Sequence, residues 1–241
     1  MQGTSNRGSV AMGLILGLSL IAAAGVCSFT FYKVRSLDNT LTVTGSAKQL
    51  IVSDKVKWTG VFTRTVPVDG IKQGYGEMKA DQDKVVKFFE SEGLSADALD
   101  ISPVQLDEPF KYNPDAPREY NLRQTVTIQS DDVAKIAALA KDTRLIDAGV
   151  IFSTQSIEYY YSRLAGLRVS LLADAVKDAQ ARAAKIAEST GKRVGSLKSA
   201  SMGAVQVLQV NSTDVSDYGS YDTSTIDKEV MVAVRAAFVL D

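Results

Sequence analysis

Histidine, the usual general base at neutral pH and the commonest metal ligand, is absent from the 241-residue sequence. The single cysteine, Cys27, lies inside an uncharged apolar segment. The sequence therefore excludes Ser-His-Asp and Cys-His catalysis, an intrachain disulfide and a thiolate metal site. We expect a protein that is not an enzyme and that binds neither a cofactor nor a metal ion.

Carboxylates alone leave two alternatives, a glycosidase-like acid pair and a calcium site. Asp107 and Glu108 are adjacent on a predicted strand, so their side chains point to opposite faces and do not form an acid pair. Four aspartates in the segment 211–227 are candidate calcium ligands, but their spacing matches no ligand loop: Asp214, Asp217, Asp222 and Asp227. We interpret this segment as a solvated loop.

Three successive tyrosines, Tyr159, Tyr160 and Tyr161, stand at a predicted strand-to-helix junction. Successive strand residues point to opposite faces, so the three rings cannot all enter one core. An exposed tyrosine is a good interface anchor because it buries a large ring at little cost in entropy. The three tyrosines are therefore candidate oligomer contacts, and ordinary half-buried packing is the alternative.

Residues 9–32 contain no charged side chain. As a helix rising about 1.5 Å per residue, they are long enough for the roughly 30 Å hydrocarbon core of a bilayer. They predict a transmembrane signal-anchor helix between a tail, 1–8, and a linker, 33–40. The short tail favours an N-terminus inside the cell and a domain, 41–241, on the periplasmic or extracellular side of the inner membrane. The alternative is a cleaved signal peptide with Ala22-Ala23-Ala24 as its cleavage site.

The charges are nearly balanced, with 27 basic and 28 acidic side chains. All of them except Arg7 follow the apolar segment and are spread along the chain, so no basic patch predicts nucleic-acid binding. The flanks of the apolar segment, Arg7 on one side and Lys33 with Arg35 on the other, barely select an orientation. The length after the segment suits one globular domain, possibly with two lobes.

Alternating and helical patterns indicate an α+β fold in which helices cover a mostly antiparallel sheet. The clearest strand is 120–129, and strands are also predicted at 50–63 and 197–210. Helices are predicted at 69–92, where Asp69 is the N-cap, at 130–147 and at 162–190. Gly93 and Gly191 are predicted to end the first and last of these helices. The inner stripe of the last helix is Leu164, Leu167, Leu171, Ala175, Ala179, Ala183 and Ile186.

Several short segments resemble the SIMPL-domain family over about 41–240. That family tends to have a V-x-G motif followed by a P-D pair, and here Ser53 replaces the proline. The last loop also lacks the proline that usually precedes the final strand. The matching segments are Val43-Thr44-Gly45-Ser46, Ser53-Asp54, Glu92-Gly93-Leu94, Asp100-Ile101, Pro109 to Tyr112, Ala148-Gly149, Ala173 to Ala183, Ile186-Ala187 and Gly191.

The resemblance implies a bacterial envelope protein that self-assembles, because a family member forms a large ring-like or channel-like oligomer. Other family members belong to oxidative-stress defence. We therefore expect a membrane-anchored homo-oligomer with a stress-related protective or scaffolding role. One alternative is a monomeric or small-oligomer adaptor that presents its loops, 107–119 or 211–227, to a partner protein. The other is a cleaved, soluble periplasmic protein of the same family.

Overall fold

The computed structural model of the protein describes residues 5–36, 39–109 and 117–241. The predicted tail 1–8, linker 33–40 and loop 107–119 lie partly outside these residues. In chain order the elements of the described part are α1 (Ser5–Ser36), β1 (Thr40–Val52), β2 (Lys55–Pro67), α2 (Ile71–Ser91), β3 (Leu99–Ile101), β4 (Gln105–Asp107), β5 (Glu119–Ser130), α3 (Val133–Leu139), α4 (Arg144–Asp147), β6 (Ile151–Tyr160), α5 (Leu164–Ser189), β7 (Val194–Met202), β8 (Gln206–Gln209), β9 (Ser220–Tyr221) and β10 (Asp227–Leu240).

Helix α1 is long and apolar enough to cross a membrane. Its apolar stretch, Val10–Val34, has 25 residues and a mean hydropathy of 2.3. Its large side chains are exposed, as Ile21 at 72% and Phe31 at 67% illustrate. A signal sequence would have the same length and composition, so the helix by itself fits both an anchor and a cleaved leader.

The α+β class is confirmed, with two five-stranded sheets in place of the single layer that the sequence suggested. One sheet has the strand order β3-β5-β2-β6, with β4 also paired to β5. The other has the order β1-β10-β8-β9, with β7 also paired to β10. The registered pairs are antiparallel except β8 with β9, which is parallel.

The chain divides into two compact units, and β1, β10 and α5 each contribute residues to both. The first unit comprises the part up to Ala47, Leu172–Gly203 and Val232–Asp241. The second comprises Lys48–Leu171 and Ala204–Met231.

The second unit has a continuous apolar core between its sheet and the helices that cover one face. Strand β2 runs antiparallel to β5 over its whole length, from Val56 opposite Ser130 to Pro67 opposite Glu119. Every second residue is buried from Val56 to Phe62 in β2 and from Leu122 to Ile128 in β5, as the alternating pattern predicts. The core residues from β2, β5 and α2 are Val56, Trp58, Phe62, Val66, Leu122, Val126, Ile128, Met78, Val85 and Phe89.

Several local predictions were wrong. The strand predicted at 50–63 comprises the end of β1 and most of β2, which are separated at Ser53 and Asp54. The helix predicted at 130–147 is two short helices, because Asp142 accepts a hydrogen bond from the backbone N–H of Arg144 at 2.9 Å and starts a new turn. The strand predicted at 197–210 is interrupted at Gly203, whose N–H donates to the Ala233 carbonyl at 2.9 Å. Asp69 does not cap α2, which follows a single 3₁₀ turn at Val68–Gly70.

In the first unit, helix α5 packs on strand β1 at backbone distance. A Cβ atom on Gly45 would lie 2.3 Å from both the Ala175 carbonyl oxygen and the Ala179 nitrogen. Next to it, the Ser46 N–H donates to the Asp178 carboxylate at 2.8 Å. The helix can come this close because its inner residues are small.

The buried stripe of α5 repeats every four residues: Leu167, Leu171, Ala175, Ala179, Ala183 and Ala187. The prediction of Ile186 was wrong, since that side chain is 46% exposed and Ala187 takes the inner position. Three ion pairs lie on the outer face of the helix, at distances of 3.0, 2.8 and 3.0 Å: Asp174–Lys177, Asp178–Arg182 and Lys185–Glu188. Gly93 and Gly191 follow α2 and α5 with φ of 76° and 71°, as helix-ending glycines do.

We predict that Gly45→Ala destabilises the protein by about 1–3 kcal/mol or more, because the added methyl meets helix backbone that cannot rotate away. The matched control is Gly166→Ala on the same helix, where a Cβ has no atom within 4 Å. That control is expected to raise stability by about 0.5–1 kcal/mol. Urea unfolding of both variants measures the difference, and equal stability of Gly45→Ala and the wild type would contradict the packing described here.

Candidate functional site

The three tyrosines lie where β6 ends and α5 begins, and their environments differ. Tyr159 belongs to the core of the second unit and is 8% exposed. Its backbone N–H donates to the Thr223 carbonyl at 2.8 Å. Burial raises the pKa of its hydroxyl. Tyr159 therefore presents little surface to a second molecule. Tyr160 at the end of β6 and Tyr161 directly after it are half-buried.

Tyr160 and Tyr161 are held by neighbouring polar groups. The Tyr160 hydroxyl donates to Glu158 at 2.8 Å, and this hydrogen bond, with burial, raises the pKa of Tyr160. The ring of Tyr160 lies 6.1 Å from that of Tyr221, whose hydroxyl accepts the Tyr161 N–H at 3.1 Å. The oligomer contacts nominated from the sequence therefore remain a prediction for Tyr160 and Tyr161.

Asp54, in the turn between β1 and β2, connects that turn to the segment between β6 and α5. Its carboxylate accepts hydrogen bonds from the Ser162 N–H at 2.7 Å and the Ser162 hydroxyl at 2.8 Å, and Arg163 lies 3.7 Å away. Burial alone would raise the pKa of Asp54, but these contacts outweigh it and lower the pKa. The aspartate of the family's P-D pair thus fixes the start of α5.

Ser53 stands where the family tends to have proline, and its backbone makes a bond that proline cannot make. The Ser53 N–H donates to the Ile226 carbonyl at 2.9 Å. Its hydroxyl is buried and has no hydrogen-bond partner among the described residues. Ser53 therefore contributes a hydrogen bond through its backbone N–H, whereas its side chain makes none among the described residues.

A cavity of about 490 Å³ opens beside Tyr160, lined among others by Lys55, Lys57, Gln129 and Asp131. Lys55 pairs with Asp131, and Lys57 lies 4.0 Å from Glu158. Both lysines are thus matched by carboxylates on the same surface. The two lysines and the two carboxylates around this cavity therefore compensate one another's charge.

The segment 211–227 contains a network that sequence reasoning missed. Asp222 accepts hydrogen bonds from the Ser224 hydroxyl at 2.7 Å and from the Thr225 backbone N–H and hydroxyl. It also pairs with Lys228 at 3.1 Å, and the Lys228 side chain is fully buried. Lys228 donates a further hydrogen bond to the Thr225 carbonyl.

Asp222, one of the four aspartates considered as calcium ligands, is already bound within this network. Burial alone would raise the pKa of Asp222, but the hydrogen bonds from Thr225, Ser224 and Lys228 together hold it well below its usual range. Burial lowers the pKa of Lys228, and Asp222 opposes this only in part. Within 5–36, 39–109 and 117–241, no group of three or more Asp, Glu, Cys or His side chains is placed to hold a metal ion.

A sequence signal for Lys228 existed. It occupies an inward position of β10, two residues before Val230 in the alternating series that continues through Val232 and Val234. A lysine at such a position needs a buried anionic partner. Asp222 is close enough in sequence to supply it. The segment 211–227 is therefore fastened at its end, whereas the sequence suggested only a solvated loop.

We predict that Lys228→Met destabilises the protein by about 3–5 kcal/mol, because it leaves a partly buried carboxylate without its cation. The double variant Lys228→Met/Asp222→Asn should recover much of this loss, since neither charge then remains. Because the pKa of Asp222 is lowered on folding, its contribution to stability is complete above about pH 4 and disappears as the pH falls towards the folded value. Urea unfolding at pH 7 and along an acid series measures both effects.

The control for this prediction is Lys185→Met, which removes an exposed pair with Glu188 at 3.0 Å. The side chains of Lys185 and Glu188 are 83% and 73% exposed, so the loss of this pair is expected to cost less than about 1 kcal/mol. The prediction is contradicted if the two lysine substitutions lower the free energy of unfolding equally. It is also contradicted if the double variant is no more stable than Lys228→Met.

A family model described as SIMPL, a protein of unknown function (DUF541), matches residues 41–238. The match covers most of the chain and the same region as the resemblance drawn from the short segments. It begins at the strand that carries Gly45 and ends in β10. No protein in the curated set matches the chain significantly.

Proposed function

The chain belongs to the SIMPL family, and from this membership we propose that it is a non-enzymatic, self-assembling protein anchored in the inner membrane. In this proposal the N-terminus faces the cytoplasm and the SIMPL domain lies on the periplasmic or extracellular side. Its role is protective or scaffolding in envelope stress, as the resemblance to oxidative-stress defence proteins implies.

The apolar helix is the observation that carries the anchoring part of the proposal. Val10–Val34 is long enough to span a bilayer, and the helix leaves its apolar side chains exposed along the whole span. Twenty-five consecutive residues of this kind would be costly in water but are matched to lipid. The apolar run continues through Phe29 and Phe31, beyond the Ala22-Ala23-Ala24 site where a mature N-terminus would normally become polar.

Self-assembly is supported by the family resemblance and by the character of the domain surface. The candidate contacts Tyr160 and Tyr161 lie at the rim of a polar corner whose charges are already paired. A surface without an excess of charge can meet a second copy of itself without repulsion. If the domain is anchored by α1, assembly also gathers several apolar helices in the same membrane.

The non-enzymatic part rests on the chemistry of the chain. With no histidine, general acid–base work would fall to carboxylates and lysines. The carboxylates of Asp54, Asp131 and Asp222 each pair with a cation in the second unit. Such groups are suited to holding loops in place.

A second candidate function, an adaptor for another protein, is favoured by one observation. Tyr218 in the segment 211–227 is 98% exposed, and Val215 nearby is 62% exposed. Exposed aromatic residues on an anchored loop are common in protein recognition. The substitution Tyr218→Ser separates the candidates: an adaptor loses its partner while the assembly remains unchanged.

We predict that the full-length chain, at 25.9 kDa, stays in the membrane fraction of a bacterial host after an alkaline carbonate wash. Protease added from the periplasmic side of spheroplasts should digest the domain, since only the short tail is expected inside. The intact mass of the extracted protein should correspond to a chain that retains residues 9–32.

The matched control is Ala24→Leu, which blocks the alternative cleavage site without shortening the apolar segment. An anchor gives the same retained segment for the wild type and for this variant. A wild-type protein that begins at Gly25 and leaves the membrane, while Ala24→Leu remains in it, would refute anchoring and identify the segment as a signal peptide.

A further inference from the structure

Strand β6 forms an open edge of the second unit's antiparallel sheet. It pairs with β2 on one side, from Lys55 opposite Tyr160 to Thr63 opposite Ile151. It is the terminal strand in the order β3-β5-β2-β6. Ile151 at its start is 66% exposed, and Ser153 and Thr154 are also exposed. A strand edge of this kind presents backbone N–H and C=O groups to an additional strand.

Only the far end of this edge is covered in the described part of the chain. There the Tyr159 N–H donates to the Thr223 carbonyl at 2.8 Å. The register with β2 shifts between Thr59 and Gly60, so Gln155 is an extra residue in β6. Such a bulge twists the strand beyond it. The regular open stretch is therefore the first four residues, Ile151–Thr154.

The opposite edge of the same sheet is protected. It consists of β3 and β4, which are three residues long and are separated by a segment that contains Pro103. Short strands and a proline are the usual means by which a sheet edge avoids further pairing. Head-to-tail extension of the sheet, which would join the β6 edge to this one, is therefore disfavoured.

The sequence of β6 has none of the residues that would keep a second β6 away. It contains no lysine, arginine or proline, and Glu158 is its one charged residue. In an antiparallel pair centred near Ser153 and Thr154, the two Glu158 carboxylates would be roughly 30 Å apart at about 3.4 Å per residue. Like charges would therefore not oppose each other across the pair.

We propose that β6 pairs antiparallel with β6 of a second copy of this chain, so that two sheets join about a twofold axis. This inference rests on the proposed self-assembly and adds the surface through which it occurs. Because the pairing uses the same edge on both molecules, it is isologous and closes after two copies. A larger assembly would be built from such dimers through other surfaces, with Tyr160 and Tyr161 as candidates.

Cysteine cross-linking tests the pairing directly, because Cys27 is the only native cysteine. In a Cys27→Ser background, Ser153→Cys is placed at the expected twofold axis, and Asp100→Cys on β3 marks the protected edge. Both positions are exposed. Oxidation of the full-length chain in mild detergent should give a disulfide-linked dimer for Ser153→Cys at a yield at least fivefold above that of Asp100→Cys.

Light scattering on the same samples distinguishes failure of the β6 pairing from failure of self-assembly as a whole. An assembled protein in which Ser153→Cys cross-links no better than Asp100→Cys would overturn the β6 pairing and leave self-assembly standing. A protein that is monomeric in detergent would overturn both.

A second variant tests the edge without cross-linking. Ile151→Lys places a charge on the open stretch, and Val169→Lys on α5 is the matched control because Val169 is 70% exposed. The first should weaken dimer formation at least tenfold and the second should leave it unchanged. Equal dimerisation of the two variants would contradict the proposal. Unchanged circular dichroism spectra would show that both are folded.

Discussion

The contact between Gly45 and helix α5 is the constraint on which the first unit depends. There the backbone of β1 meets the backbone of the helix, with no room for even one methyl group. Such an approach requires glycine on the strand and alanines on the helix, and the buried repeat Ala175, Ala179, Ala183 and Ala187 meets that requirement. In this chain the V-x-G motif and the alanine-rich helix are thus the two sides of one packing contact.

Two carboxylates of the second unit, Asp54 and Asp222, hold segments of the chain together. Asp54 fixes the start of α5 through Ser162, and Asp222 with Lys228 closes the segment 211–227 onto β10. Desolvation offsets much of the attraction within a buried pair, but removing only one partner is costly because the other charge is left uncompensated. A domain that uses its charges in this way fits the proposed role as an assembled scaffold, in which rigid surfaces matter more than reactive groups.

The sequence predicted what short-range patterns control. Alternation located β5, and glycines located the ends of α2 and α5. Alternation also located most of β2, although the predicted strand at 50–63 included the end of β1. These features depend on neighbours within a few positions. The α+β class followed from the same patterns and is confirmed.

What the sequence did not predict depends on partners distant in the chain or on side chains that compete with the backbone. Ile186 looked like a core residue, but the buried stripe continues at a spacing of four residues from Ala183 to Ala187 and leaves Ile186 46% exposed. Asp142 divided a predicted helix by binding the Arg144 N–H. The partition into two sheets arises from the pairing of β10 with β1, β7 and β8, which no local pattern encodes. The Lys228 network has one signal in the sequence, a lysine at an inward position of an otherwise apolar strand, and its partner Asp222 lies in an irregular segment.

Anchoring and assembly support each other in this account. An isolated open edge on β6 invites association, and a membrane anchor would hold copies in one plane at raised local concentration. Neither property requires an active site, and both agree with a chain that lacks histidine and has paired carboxylates. Assembly through β6 would also satisfy the backbone groups of the strand that the monomer leaves open.

The most direct measurement is the mass of the full-length chain in mild detergent, from light scattering corrected for bound detergent, with electron microscopy of the same particles. We expect discrete particles whose protein mass is an even multiple of 25.9 kDa and whose subunits retain residues 9–32. A homogeneous species of 25.9 kDa would contradict it.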